Sequence, residues 1–277
     1  MSPVAYLNGE IIPLAEAKVG ILDLGLLRGF GVYEGITALR GEPFHFHDHW
    51  LRFNRSAKTL ALRMPVSEEE FLAGLRAIIA HNAGKGRASI RAVLTGGTAI
   101  GGIEYAPGTE TLFAMAEPAV PLPSELYEHG ASLITHEHRR HLPHIKTIDY
   151  IEAVTLQPRR KDAGALEILY THDGHVLECA TSNVFLVKEG VLITPKEDVL
   201  GGITRKVVLD LARSAGIPVE EREVSSEELL GADEVFITSS FKDIVPIAFI
   251  DGRAAFGGAP GPITCDLMKR FANGTTA

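Results

Sequence analysis

Residues 141–154, HLPHIKTIDYIEAV, place Lys146 beside Ile145 with Ile148 and Ile151 following. Most of the other lysines stand in polar stretches such as NAGKGR or VKEGV. An apolar setting disfavours the ammonium form and leaves an amine nucleophilic towards a carbonyl. On local sequence alone, a lysine snorkelling from a partly buried helix explains the same residues. A second charge asks a different question. In GLLRGFGVYEG, residues 25–35, Arg28 stands between leucines and glycines. It either awaits an anion or pairs with Asp23 or Glu34 to fix its loop.

Two further stretches carry binding chemistry. GGITR, residues 201–205, is a glycine-rich turn leading into a helix, where backbone N–H groups and the helix dipole can cradle a phosphate; a glycine-tolerant turn with a threonine cap is the plainer reading. ITSSF, residues 237–241, is a hydroxyl-bearing turn after a strand. Neither matches a P-loop or the G-x-G-x-x-G fingerprint, and GFGVYEG fails that fingerprint by spacing. The histidines cluster as His45, His47 and His49 and as His136, His138, His141 and His144. No carboxylate or thiolate completes a recognised ligand spacing, so no metal is expected. No Gly-x-Ser-x-Gly elbow supports a serine hydrolase.

These groups need elements to position them. YLNGEII carries Asn8-Gly9, the pair that accepts positive φ at both centres of a tight hairpin turn. HDHWLRFNRSAKTLAL spaces Trp50, Phe53, Ala57, Leu60 and Ala61 for one helix, and Ser67 with Glu70 reads as the capping box of the next. ASIRAVLTGG and ETLFAMAE follow as strands, making residues 1–117 a small α+β domain. EPAVPLPSE, with its prolines, places a linker at 118–125. In the larger domain, 126–277, Asp173-Gly174 and Glu189-Gly190 punctuate what reads as an antiparallel meander. An amphipathic helix then runs from GGITR to Gly216, and ADEVFITSSFKDIVPIAFIDG reads as strand, turn and strand.

With 277 residues and 45% hydrophobic content, the chain can bury a core in each of two domains. A net charge of −8 lacks the clustered cations that nucleic acid requires, so the ligand is expected to be small. Two distant cysteines, Cys179 and Cys265, suit a reducing compartment rather than a disulfide framework. The start lacks a basic region and a long apolar run, and a cytoplasmic protein off the membrane is expected.

Taken together, these pieces resemble the fold-type IV pyridoxal-phosphate enzymes, which include branched-chain aminotransferases, D-amino-acid aminotransferases and aminodeoxychorismate lyases. LECATSNVFLVKEGVLITPKEDVLGGITR, residues 177–205, is similar to the signature of that family. The resemblance implies an α/β two-domain fold with a mixed, barrel-like sheet in the larger domain, pyridoxal 5′-phosphate (PLP) as cofactor, and a homodimer whose sites the neighbouring small domain completes. It assigns to Lys146 the Schiff base with the cofactor and the proton shuttle. It gives Glu178 the pyridine nitrogen and Tyr150 a place near the ring's phenolic oxygen. Arg52, Ile203, Thr204 and Ser240 take the phosphate.

The substrate turns on its carboxylate. An Arg-x-His pair of the usual bacterial D-amino-acid enzymes is absent where this chain has TGGTA, residues 95–99. Branched-chain enzymes usually have Tyr-Gly where this chain has Arg28-Gly29, and an arginine where it has Arg91. Arg28 and Arg91 are therefore expected to bind the α-carboxylate. This resembles a less usual branch of D-amino-acid aminotransferases, acting on D-glutamate or D-alanine with 2-oxoglutarate. A branched-chain L-amino acid aminotransferase and an aminodeoxychorismate lyase are the alternatives.

Overall fold

A computed structural model describes residues 2–254 and 260–276. The chain divides into two compact units, one of residues 1–120 with 145–150 and one of residues 121–144 with 151–277. The contiguous boundary expected at 118–125 is thus joined by a second crossing, because the lysine-bearing segment packs with the first unit.

The first unit holds strands β1 (Val4–Leu7), β2 (Glu10–Pro13), β3 (Gly31–Leu39), β4 (Glu42–Pro43), β5 (Ala88–Thr95) and β6 (Thr111–Pro118), ordered β2-β1-β6-β5-β3-β4 and all antiparallel. Asn8 and Gly9 take φ of 49° and 96°, the left-handed conformation a two-residue hairpin needs. Helix α1 (Leu24–Arg28) is capped by Asp23 and ends at Gly29 in the left-handed region. α2 (Phe46–Thr59) lies on β3, and α3 (Glu68–Asn82) lies on β1 and β6. The capping box of α3 forms as read, with Ser67 and Glu70 exchanging both bonds. Phe53, Phe71, Leu75, Ile78, Ile90 and Leu94 fill the core between helices and sheet. Each methylene buried there contributes about 0.8 kcal/mol.

The second unit carries β7 (Ala131–Glu137), β8 (Glu167–His172), β9 (His175–Cys179), β10 (Asn183–Lys188), β11 (Val191–Thr194), β12 (Val219–Glu221), β13 (Glu234–Ser239), β14 (Asp243–Ile250) and β15 (Arg253–Ala254). Their order is β12-β11-β10-β13-β14-β7-β8-β9, with β15 beside β14. The sheet is mixed, since β7 pairs parallel with β8 and β14, and β11 with β12. The hairpins at Asp173-Gly174 and Glu189-Gly190 form as read. The meander does not continue between them: β10 pairs with β13 instead, and β9 ends the sheet order. Helices α4 (Ser124–His129), α5 (Ile151–Thr155), α6 (Gln157–Asp162), α7 (Ile203–Ser214), α8 (Ser226–Leu230) and α9 (Pro262–Thr276) complete the unit. α7 packs against α9 and β13. No helix of the described residues is long and apolar enough to cross a membrane.

Candidate active site

Lys146 is not on a helix. Its segment runs antiparallel beside β3, with Tyr33 N donating to Lys146 O at 2.9 Å, Ile148 N to Gly31 O at 3.1 Å, and Val32 bridged to Thr147. A Cβ at Gly31 would stand 2.8 Å from Leu94 O and 3.0 Å from the Ile148 side chain, so this glycine makes room for the lysine segment. The Lys146 amide also donates to Ser56 Oγ at 3.2 Å. Its ammonium lies 4.3 Å from the centroid of the Tyr33 ring, within cation–π range. Tyr33 and Tyr150 share a hydrogen bond between hydroxyls at 2.5 Å. Tyr33 was not singled out from the sequence. Its partner Tyr150 lies 117 residues away, so no local pattern marked it.

Glu34 points to the opposite face of β3. It takes Arg52 Nε at 2.8 Å and Nη2 at 2.6 Å, and His49 Nδ1 at 2.7 Å, all three side chains being buried. Burial pushes the Glu34 carboxyl up, but the Arg52 guanidinium and the His49 ring outweigh it and bring it down to about 2. Burial also lowers His49, so a neutral ring donates its Nδ1–H to the carboxylate. A carboxyl depressed from 4.5 stabilises the fold fully above that value and loses the contribution as pH falls towards 2. The loss amounts to about 3 kcal/mol. Denaturant unfolding at about pH 5 and about pH 2.5 is expected to show this drop, and Glu34→Gln to flatten it. Equal slopes for both proteins would refute the assignment.

In the second unit, Glu178 is buried at the end of β9. Arg140 donates to Oε1, while Asn183 Nδ2 and the Leu200 amide each reach Oε2 at 3.1 Å. Asn183 Nδ2 also donates to Leu200 O at 2.8 Å, which fixes its amide. Arg140 and Asn183 were not among the residues chosen from sequence; Asn183 does lie inside the TSNVF stretch.

Gly202 caps α7 with no side-chain hydrogen bond, so the threonine-cap reading is replaced by a bare helix start. The first amides of α7, at Ile203 and Thr204, have no intrahelical carbonyl to reach. A Cβ at 202 would collide with Asn183 Oδ1, whose side chain is pinned, so glycine is required. Asn183 is the register partner of Thr238 across β10 and β13, which puts both on one face of the sheet. Thr238 Oγ1 and Ser239 Oγ are buried with no hydrogen-bond partner among the described residues. Unsatisfied buried hydroxyls cost about 1–3 kcal/mol each, and a ligand oxygen would relieve that. Ser240 follows them in the turn.

Arg28 and Arg91 lie in the first unit, and both are exposed. Arg28 Nη1 donates to Leu27 O at 2.8 Å, and among the described residues Arg28 forms no ion pair. Asp23 is occupied by Gly25 N and by the hydroxyls of Thr95 and Thr111. Arg91 faces Glu117 at 3.1 Å on the open side of β5. The histidines are engaged separately: His45 with Asp48, His47 with Glu68, His49 with Glu34 and His136 with Glu152. Among the described residues, the potential ligand atoms that converge within 4.8 Å are those of Glu137, His172 and Asp173. Hydrogen bonds already knit that exposed group together.

The model of the class IV amino-transferase family matches residues 31–250, and this chain belongs to that family. Its members are fold-type IV enzymes whose cofactor is PLP. The chain is 37% identical over 275 residues to a Methanocaldococcus jannaschii protein provisionally named a branched-chain-amino-acid aminotransferase, covering 96% of this chain and 94% of the relative. It is 33% identical over 270 residues to the D-alanine aminotransferase of Bacillus licheniformis, covering 96% and 95%. The T.th. branched-chain amino acid aminotransferase, solved in complex with N-(5′-phosphopyridoxyl)-L-glutamate, superposes with a TM-score of 0.90 at 27% identity, covering 100% of this chain and 95% of that one.

Proposed function

We propose that this aminotransferase moves an amino group between a D-amino acid, D-glutamate or D-alanine, and a 2-oxo acid such as 2-oxoglutarate. When bound, PLP supplies the electron sink that lets a Cα proton leave. Lys146 holds the cofactor covalently and, once freed, carries the proton from Cα. Tyr150 orients the ring oxygen, backed by Tyr33. Glu178 accepts the pyridinium N–H with a carboxylate that Arg140, Asn183 and Leu200 hold in place. Ile203, Thr204 and Ser240 receive the phosphate. The orphaned hydroxyls of Thr238 and Ser239 and the bare start of α7 suit such a dianion. Arg52 adds a cation whose charge is shared with Glu34.

One observation carries the D-amino-acid reading: Arg28 is an exposed guanidinium whose candidate acidic neighbours, Asp23 and Glu34, are both engaged elsewhere. It is available to a substrate carboxylate. Arg91 is its partner in that role, since an exposed pair such as Arg91–Glu117 is worth no more than about 1 kcal/mol and a substrate can displace it. The 37% identity to the Methanocaldococcus jannaschii relative favours a second reading, transamination of branched-chain L-amino acids. A lyase acting on aminodeoxychorismate would instead release pyruvate without any oxo-acid acceptor.

The test offers D-alanine, D-glutamate and L-leucine singly to the yellow enzyme and to Arg28→Lys, following the absorbance change to the amine form of the cofactor. D-amino acids are expected to convert it. Losing the guanidinium fork is expected to weaken carboxylate binding by about 1–3 kcal/mol, seen as a raised KM. Conversion by L-leucine alone overturns the reading.

Ile21, Leu22, Leu26, Leu27, Ile100 and Ile103 are exposed in the first unit, on α1 with the turn before it and on the loop after β5, segments joined by the Ala99 N to Leu22 O bond at 2.9 Å. A clustered apolar surface of this kind suits a homodimer. Both cysteines are free thiols, which suits a cytoplasmic protein.

A further inference from the structure

Glu167 begins β8, Thr181 and Ser182 form the turn from β9 to β10, and Lys242 ends the turn from β13 to β14. One ammonium and one carboxylate tie these points together. Lys242 Nζ reaches Glu167 Oε1 at 2.7 Å, Thr181 Oγ1 at 2.7 Å and Ser182 Oγ at 3.3 Å, which uses its three protons. Thr181 and Ser182 also donate to Glu167 Oε1. The backbone of Lys242 is held as well, its carbonyl accepting from Tyr127 Oη at 3.0 Å. Burial pushes the Glu167 carboxyl up, but Lys242 and the two hydroxyls lower it further, so the pair is ionic.

An ion pair between a buried carboxylate and a partly buried ammonium contributes little net stability, because desolvation offsets its attraction. Its position gives it a purpose. Lys242 lies two residues after Ser240 and three after the orphaned Ser239, while Ser182 directly precedes Asn183, the register partner of Thr238. Ser182 O also accepts from Cys179 N at 2.8 Å, next to Glu178. The pair therefore joins the two strand ends that carry the hydroxyls and the Asn183–Glu178 contact.

We infer that Lys242 and Glu167 are positioning residues, an ionic clip that holds the Ser239–Lys242 turn in the shape that accepts the cofactor's phosphate. The inference rests on the phosphate reading proposed above. It predicts a defect confined to the phosphate end.

The test measures binding of PLP and of pyridoxal, which lacks the phosphate, to the full chain stripped of cofactor. Both aldehydes react with the same lysine, so their ratio isolates the phosphate. Lys242→Met is expected to weaken PLP roughly tenfold or more, as loss of an outer partner does for a bound ion, and to leave pyridoxal unchanged. Lys242→Arg should restore part of the ratio. The double variant Glu167→Gln with Lys242→Met removes both charges, avoids a stranded buried carboxylate, and should show the same defect in a folded protein. An unaltered ratio in the folded double variant, or equal weakening of both ligands, overturns the clip. Equal affinity for both ligands in the unsubstituted chain overturns the phosphate reading itself.

Discussion

Lys146→Ala is expected to lower transamination by at least about 10⁴-fold, because in the proposed mechanism one substitution removes both the covalent attachment and the base for the Cα proton. The fold should survive. The segment is anchored through its backbone, by Tyr33 N to Lys146 O, Ile148 N to Gly31 O and Lys146 N to Ser56 Oγ, and alanine keeps every one of these bonds. What the fold loses is a cation 4.3 Å from the Tyr33 ring, worth about 0.5–1 kcal/mol at a partly exposed place. Lys146→Arg separates the two contributions, since a guanidinium keeps the charge over the ring but is not a nucleophile. Both variants should melt near the unsubstituted chain and both should be inactive. Activity within tenfold of normal in Lys146→Arg would remove the lysine from the chemistry.

Glu178→Gln is expected to cost roughly 10²–10³-fold in turnover, in the range seen when a fixed electrostatic contact to a developing charge is lost. In the proposed role, a carboxylate at 178 keeps a proton on the cofactor's ring nitrogen. An amide cannot, and its NH₂ also meets a donor where Arg140, Asn183 and Leu200 N all point protons at this side chain. Stability should fall too, by about 3–5 kcal/mol if Arg140 is left as an uncompensated charge. Glu178→Asp keeps the charge and shortens the reach. If Glu178→Gln turned over normally while melting lower, Glu178 would be a structural anchor for Arg140 and nothing more.

Much of this site was legible in order along the chain. The signature at 177–205 identifies the family at residue level, and the resemblance supplies the roles proposed for Lys146 and Glu178. The turns at Asn8-Gly9, Asp173-Gly174 and Glu189-Gly190, and the Ser67–Glu70 capping box, were equally readable, because each depends on the backbone preferences of a few adjacent residues. The substrate was less so. Relatives named for both specificities lie at 37% and 33% identity, so overall similarity does not choose between them, and the proposed choice rests on single side chains such as Arg28.

The sequence alone determined the local elements and the family, and through the family it pointed to Lys146 as the proposed reacting amine. Tertiary structure decided the partners. It showed Arg52 gripping Glu34, Asn183 opposite Thr238, and Lys242 reaching back to Glu167, 75 residues away along the chain. It also gave Gly31 its use, to let Leu94 O and the Ile148 side chain come close, and gave Gly29 another, to end α1 in a left-handed cap. The physical reason is the same throughout. Turn and helix signals reside in neighbouring φ/ψ preferences, whereas a buried charge or hydroxyl acquires its meaning from whichever distant group the folded chain sets within about 3 Å of it.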